Sequence, residues 1–115
     1  MQFTQPIRQN FEFRRLYYRG KCGAGPLVAI YCLKNRLGHN RLGITVGGKL
    51  GNAVTRNRVR RRISESYRLM ESELNQGFDI VIVARSKAVT AEYRQINAEI
   101  RSKMKKLGLL EKAPI

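Results

Sequence analysis

The sequence predicts an α+β fold, a two-layer α/β sandwich in which helices lie on one small central sheet. Three observations carry this. Residues 27–33 (Leu-Val-Ala-Ile-Tyr-Cys-Leu) and 78–84 (Phe-Asp-Ile-Val-Ile-Val-Ala) are short, nearly continuous apolar runs with the length and β-branched content of buried strands. Two longer stretches, 52–74 and 90–107, place their apolar residues at helical spacing instead. The order along the chain is helix, strands, helix, strand, helix, with no repeat, linker or low-complexity segment. The 115 residues make one domain with a single modest core.

Residues 1–9 have little periodicity and are expected to form a flexible arm. Asn10 then has the chemistry of an N-cap, with Glu12 in the first turn, Arg14, Arg15 and Arg19 toward the end, and Gly20 closing the helix. Phe13 and Tyr17, four apart, share one face of it with Leu16 beside them. Such a pair serves equally well as core or, beside an open groove, as a platform for unpaired bases. Residues 21–26 are Gly-rich and loop-like, with room for a short strand. The strand at 27–33 is followed by a loop at 34–40 that holds the only histidine, His39. Residues 41–46 form a second strand, expected to hairpin with the first. After a link at 47–51 comes a helix running to about Leu74. Asn75-Gln76-Gly77 breaks it, and the clearest buried strand, 78–84, follows. Thr90 is the expected cap of a last helix in which Tyr93, Ile96, Ile100, Met104 and Leu107 keep helical spacing. Gly108 ends it, and the tail from 109 to 115 is expected to fray.

The chemistry concentrates at the start of the middle helix. Residues 51–62 read Gly-Asn-Ala-Val-Thr-Arg-Asn-Arg-Val-Arg-Arg-Arg, with five arginines in about two turns and Asn52 or Thr55 as the cap. Around Val59, the side chains of Ile63, Ser66, Tyr67 and Met70 gather on one face. Arg58, Arg60, Arg61 and Arg68 project elsewhere, with Asn57 and Ser64 among them. Arginines at a helix N-terminus oppose the helix dipole, at a few tenths to about 1 kcal/mol each. They also repel one another at i,i+4 spacing. A helix selected for stability alone would carry Asp or Glu there. A polyanion relieves both penalties, and guanidinium groups at a helix start receive phosphate well. The alternative is a plain solvated basic face.

Composition favours the polyanion. Lys and Arg total 23 against 8 acids, a net charge of +15, with a pI near 10.8. Such a field attracts nucleic acid or an anionic membrane and makes binding strongly salt-dependent. No apolar run has membrane-spanning length, and the first residues lack the apolar core of a secretory signal. Cys22 and Cys32 make neither a disulfide framework nor a metal-ligand spacing, which points to a reducing cytoplasm.

Several motifs fail. Gly43 to Lys49 imitates a phosphate-binding loop, but Leu50 stands where the Mg²⁺-binding hydroxyl belongs and Gly43 falls inside a strand. Gly48-Lys49-Leu50-Gly51 imitates the Gly-x-x-Gly clamp of KH domains, yet it joins a strand to a helix. It still offers backbone N–H groups where a phosphate could sit. For catalysis there is no support: His39 is alone, the acids are scattered, and Glu71 and Glu73 lie on different sides of a helix. Asp79 reads as a turn or capping residue. No helix-turn-helix spacing supports DNA binding.

The run from Gly51 to Arg61 closely resembles the signature of the bacterial ribonuclease P protein subunit. That family carries an Arg-Asn-Arg helix opened by Gly-Asn-Ala. The likeness extends to the Phe13/Tyr17 helix closed by Gly20-Lys21, the 27–33 strand, residues 41–49 and residues 78–85. It implies an α/β sandwich with a left-handed β-α-β crossover, against the usual rule. It also implies a ribonucleoprotein whose RNA, with Mg²⁺ held mainly by that RNA and the substrate, removes the 5′ leader of precursor tRNA. Lys49, Asn52, Arg56, Asn57, Arg58, Arg60, Arg61, Arg62 and Arg68 would then meet the catalytic RNA. Phe13, Tyr17 and Tyr31 would line a cleft for the single-stranded leader, and no residue of the chain would be catalytic or bind metal. The expected assembly is one protein monomer per RNA. The chain departs from the family pattern where Gly47-Gly48-Lys49 replaces a Ser-Lys-Lys-like stretch and where Ser64 replaces a frequent basic residue. Arg62 and Arg68 are the nearby cations that make up the difference. Two rival classes are a structural RNA-binding protein such as a ribosomal protein, and a protein-only nuclease.

Overall fold

The computed structural model describes residues 2–110. Five strands, β1 (Gln5–Pro6), β2 (Lys21–Ala24), β3 (Val28–Lys34), β4 (Arg41–Thr45) and β5 (Phe78–Ala84), form one mixed sheet in the spatial order β1-β4-β5-β3-β2. The helices are α1 (Asn10–Arg19), α2 (Ala53–Met70) and α3 (Tyr93–Lys106). The α+β class is therefore as the sequence predicts.

β5 takes the centre because it is apolar on both faces: Ile80, Val81 and Ile82 are all fully buried in succession. Ile80, Ile82 and Ala84 point to one side, where Val28 and Ile30 of β3 meet Val59, Ile63, Tyr67 and Met70 of α2 and Ile96, Ile100 and Met104 of α3. Val81 and Val83 point to the other side and pack with Ile7, with Leu16 and Phe13 of α1, and with Tyr31 and Leu33. Each fully buried side chain of this size contributes roughly 1.5–3 kcal/mol.

Three expectations are corrected. β4 does not hairpin with β3, because β5 lies between them, antiparallel to β3 and parallel to β4. Strand β4, with Gly43 in its middle and Arg41 and Thr45 flanking, has too little apolar surface to compete for the centre. α2 is thus the crossover of a parallel β-α-β unit. The N-terminal arm is pinned rather than free. Gln5 and Pro6 pair with Arg41 and Leu42, Ile7 N–H donates to Leu42 O at 3.0 Å, and Ile7 is buried. Gln2 and Phe3 N–H donate to the carboxylate of Glu71 at 2.9 and 3.2 Å, and the Thr4 and Tyr67 hydroxyls bond at 2.8 Å. The tail begins later than expected. Leu109 and Leu110 are buried, and Asn75 N–H donates to Leu109 O at 2.8 Å; residues 111–115 lie outside the described part.

Smaller shifts concern the helix ends. Gln9 rather than Asn10 is the N-cap of α1. A single turn at Ser86–Val89 intervenes before α3, whose cap is Glu92 in a reciprocal capping box with Gln95, not Thr90. α2 stops at Met70 and continues as a tighter turn, Glu71–Glu73. Cys22 is exposed, Cys32 is buried, and both are free thiols.

Candidate nucleic-acid interface

α1 crosses the sheet face that α2 and α3 leave free, and a groove opens between it, β4 and the N-terminal segment. Two adjoining hollows of about 510 and 500 Å³ compose the groove, and both are lined by Phe13, Ile44 and Arg60. Thr4 to Ile7 wall one hollow; Asn10, Arg14 and Tyr17 wall the other. Phe13 is half-buried over Gly43, where any β-carbon would meet the ring at 2.5 Å. A glycine inside a strand often marks such a close approach.

Tyr17 and Tyr31 meet edge to face, with ring centroids 5.1 Å apart and planes at 75°. The Tyr17 hydroxyl bonds the Thr45 hydroxyl at 2.8 Å, which ties α1 to the rim of β4. Burial, and then the neighbouring Cys22 thiol, push the Tyr31 phenol above its ordinary pKa. It therefore stays neutral and offers a hydrogen bond and a flat surface. The three aromatic residues singled out from the sequence thus belong to one sheet face.

Arg41 fastens the other end of α1. Its guanidinium grips Asp79 through Nε and Nη2 at 2.8 and 2.6 Å and reaches Glu12 through Nη1 at 2.6 Å. Burial alone would raise the Asp79 pKa. Hydrogen bonds from Arg41 and Asn35, with the Arg41 charge, outweigh it and hold the carboxyl below the usual range. Asp79 is therefore an ion-pair partner inside β5, not a turn residue. The sequence carried no spacing signal for this cluster, because its members come from three separate elements.

α2 sorts its cations by direction. Asn52 caps the helix, its Oδ1 accepting from Thr55 N–H at 2.9 Å. Relative to the buried Val59, Arg56 and Arg60 lie on the β4 flank and Arg58 and Arg62 on the α3 flank, at about 100° per residue. Asn57, Arg61, Ser64 and Arg68 lie on the outward side. Hydrogen bonds agree with this division. Arg60 donates to Ile44 O and Arg62 to Ala91 O, both at 2.8 Å. Arg56 Nε is buried without an acceptor. Arg68 pairs with Glu65 at 2.5 Å, on the exposed surface. Among the described residues Arg58 and Arg61 have no carboxylate partner. Lys49 is exposed on a short turn, Gly48–Leu50, just before the helix.

The structure therefore gathers most of the predicted basic residues on one helix, but it moves Arg60 into the aromatic groove. That position was legible in principle from the 100° spacing, given β4 as the neighbour. The groove wall at residues 4–7 was not, since nothing periodic marks it. Among the described residues, no three His, Cys, Asp or Glu side chains come together as metal ligands. No described helix is long and apolar enough to cross a membrane.

Known proteins resemble this chain in sequence and in fold. Residues 1–108 match the family model described as Ribonuclease P. The ribonuclease P protein component of Clostridium botulinum is 44% identical over 104 residues, covering 90% of this chain and 94% of that protein. Its counterpart from Alkaliphilus oremlandii is 41% identical over 113 residues, covering 98% and 99%. Among solved structures, the RNase P protein of Staphylococcus aureus superposes with a TM-score of 0.85 at 33% identity, covering 92% of this chain and 97% of that one. The RNase P protein of Thermotoga maritima superposes with a TM-score of 0.81 at 25% identity, covering 89% and 96%. By sequence match and by fold, the chain belongs to the ribonuclease P protein component family.

Proposed function

We propose that this protein component serves the ribonucleoprotein endonuclease from two surfaces. The outward and α3-facing side of α2, with Arg58 and Arg61 at its centre, binds the catalytic RNA. The groove of Phe13 and Tyr17 takes the single-stranded 5′ leader of precursor tRNA, with Arg60 among its lining residues and Tyr31, outside that lining, supporting the Tyr17 ring. The observation that carries the reading is this pairing of aromatic faces with an arginine across one open groove. It suits a strand of varying sequence. Stacking is indifferent to base identity and worth roughly 1–3 kcal/mol per base, and a phosphate contact from arginine carries no sequence information.

Hydrolysis in this proposal belongs to the RNA, and Mg²⁺ is held mainly by the RNA and its substrate. The protein binds, orients and neutralises; its own residues transfer no proton. One protein monomer joins one RNA, in the cytoplasm where precursor tRNA is made. The test is cleavage of precursor tRNA at low Mg²⁺ by a bacterial ribonuclease P RNA, with and without the protein. Restored cleavage at the mature 5′ end is expected. Binding without stimulation would leave a purely structural RNA-binding role. With Phe13→Ala or Tyr17→Ala, affinity should fall about ten-fold for substrates with a leader and hold for those without one. Equal losses on both would sink the groove assignment.

A further inference from the structure

A third hollow, of about 500 Å³, lies between α2 and the first turn of α3. It is lined by Arg58, Arg61, Arg62, Ser64, Glu65 and Tyr93. Two features set it apart from an ordinary basic surface. The Tyr93 hydroxyl is shut off from solvent yet has no hydrogen-bond partner. A buried hydroxyl with no partner among the described residues leaves a donor open to an acceptor from outside the protein. The cations around it are also uncommitted to acids: Glu65, the single carboxylate of the lining, is engaged by Arg68 through Nε and Nη2. Arg62 is held across the seam by its bond to Ala91 O, which fixes one guanidinium beside the hollow and leaves its other N–H groups free of named partners.

The hollow therefore offers many donors and almost no free acceptor. A phosphodiester fits that chemistry. It brings negative charge for three arginines and several oxygens, one of which can accept from the Tyr93 hydroxyl once the ring turns toward the hollow. A base edge, with its mixture of donors and acceptors, fits poorly. We infer that Tyr93 with Arg58, Arg61 and Arg62 forms a phosphate seat for the catalytic RNA, so that the RNA footprint folds over the α2–α3 seam. This rests on the RNA-binding reading of α2 above. The catalytic RNA is the source of the phosphate, rather than the leader, because Arg58 and Arg62 of the seat lie about 160° from Arg60 around the helix. One strand in the aromatic groove does not reach both sides of α2.

The experiment is equilibrium binding of a bacterial ribonuclease P RNA transcript to the full-length protein over a salt series, with melting curves for each variant. Tyr93→Phe removes only the hydroxyl. Its affinity should fall on the order of ten-fold, as for a lost hydrogen bond to a charged group. Its salt slope should stay unchanged, because no charge is lost. Its Tm should stay level or rise, because an unpartnered buried hydroxyl is gone. Arg61→Gln should weaken binding and flatten the slope by about 0.7–0.9. The double variant should lose less than the product of the two single effects. Wild-type affinity in Tyr93→Phe, with Arg61→Gln still weakened, overturns the seat and leaves the α2 interface standing. A fall in Tm that tracks the fall in affinity also overturns it, by showing that the hydroxyl serves the fold. Failure of the wild-type protein to bind the transcript would be visible before any variant is compared, and would overturn the RNA-binding reading itself.

Discussion

Gly43→Ala is a small change placed where fold and groove meet. A methyl group at Gly43 would stand 2.5 Å from Cε1 and 2.6 Å from Cζ of Phe13, whereas ordinary contact begins at 3.4 Å. The ring must retreat by about 0.9 Å. Two opposing effects set the stability change. Replacing a strand glycine lowers the entropy cost of folding by roughly 0.5–1 kcal/mol. Overpacking costs typically about 1–3 kcal/mol. Phe13 is only half-buried and borders open space, so it can swing outward and the cost falls in the lower half of that range. A net loss of about 1 kcal/mol should lower Tm by roughly 3–6 °C for a domain of this length. The groove should suffer more than the fold, because the displaced ring is the one proposed to stack on the leader. Affinity for leader-bearing precursor tRNA should weaken about five-fold, with leaderless substrate unaffected. Circular-dichroism melts and holoenzyme titrations with both substrates measure the two effects. A second variant separates them: Gly43→Ala with Phe13→Leu relieves the crowding and should recover Tm, but not leader affinity. Unchanged Tm and unchanged leader affinity in the single variant would refute the placement of Phe13 over β4.

Two further predictions concern charge. Arg58→Ala, which removes a guanidinium without a carboxylate partner among the described residues, should weaken assembly with the catalytic RNA. The slope of log affinity against log salt should shrink by about 0.7–0.9, and Tm should scarcely move; an unchanged slope would place Arg58 outside the interface. Asp79 contributes stability through a lowered pKa, so that contribution is complete above the ordinary aspartate value of about 4 and is lost as pH falls below it through the folded value. Wild-type Tm should therefore drop on acidification below about pH 4, and Asp79→Asn should be less stable at neutral pH with a flatter acid limb. An identical acid limb in the two proteins would show that the Arg41–Asp79 pair does not hold β4 to β5.

What was legible in the sequence was what depends on near neighbours in the chain. The β5 run, the 3.6-residue rhythm of α2 and α3, and the glycine at 108 with its positive φ all announce themselves within a few residues. What was hidden depends on which segments meet. Pairing of β4 with β5 rather than β3 follows from competition among strands for the centre of the sheet, and no strand carries that ranking in its own pattern. The N-terminal segment looked like an arm because Gln5 and Pro6 are poor strand formers. They are held by partners 36 residues on, and the residues before them, Gln2 and Phe3, by a carboxylate, Glu71, that belongs to another layer. The same holds at the site. Phe13, Tyr17 and the arginine run were visible as residue types at given spacings. Arg60 as a groove wall and Tyr93 as a companion of Arg58 were not, because each requires knowing which neighbour flanks α2 on each side.

That flanking is where fold and function join. Because β4 and β5 are parallel neighbours, the chain between them must cross over the sheet, and α2 is that crossover. A crossover helix buries one stripe and shows two flanks and a back. On α2 the buried stripe is Val59, Ile63, Ser66, Tyr67 and Met70, so every arginine is left on a flank or on the back. One flank borders β4 and the groove under α1; the other borders α3. The unfavourable placement of arginines in the first turns of a helix thereby acquires a reason. Moved further along α2, they would sit away from Ile44 and the aromatic residues of α1. At the N-terminal half they would serve, on the reading proposed above, two RNA surfaces from a single rigid element, and occupation of both surfaces would relieve the repulsion among them. Polyanion binding should accordingly raise Tm by more than the same ligand does in Arg58→Ala or Arg60→Ala, measured at equal saturation. An equal rise in all three proteins would mean that the charge on α2 was never a strain on the fold.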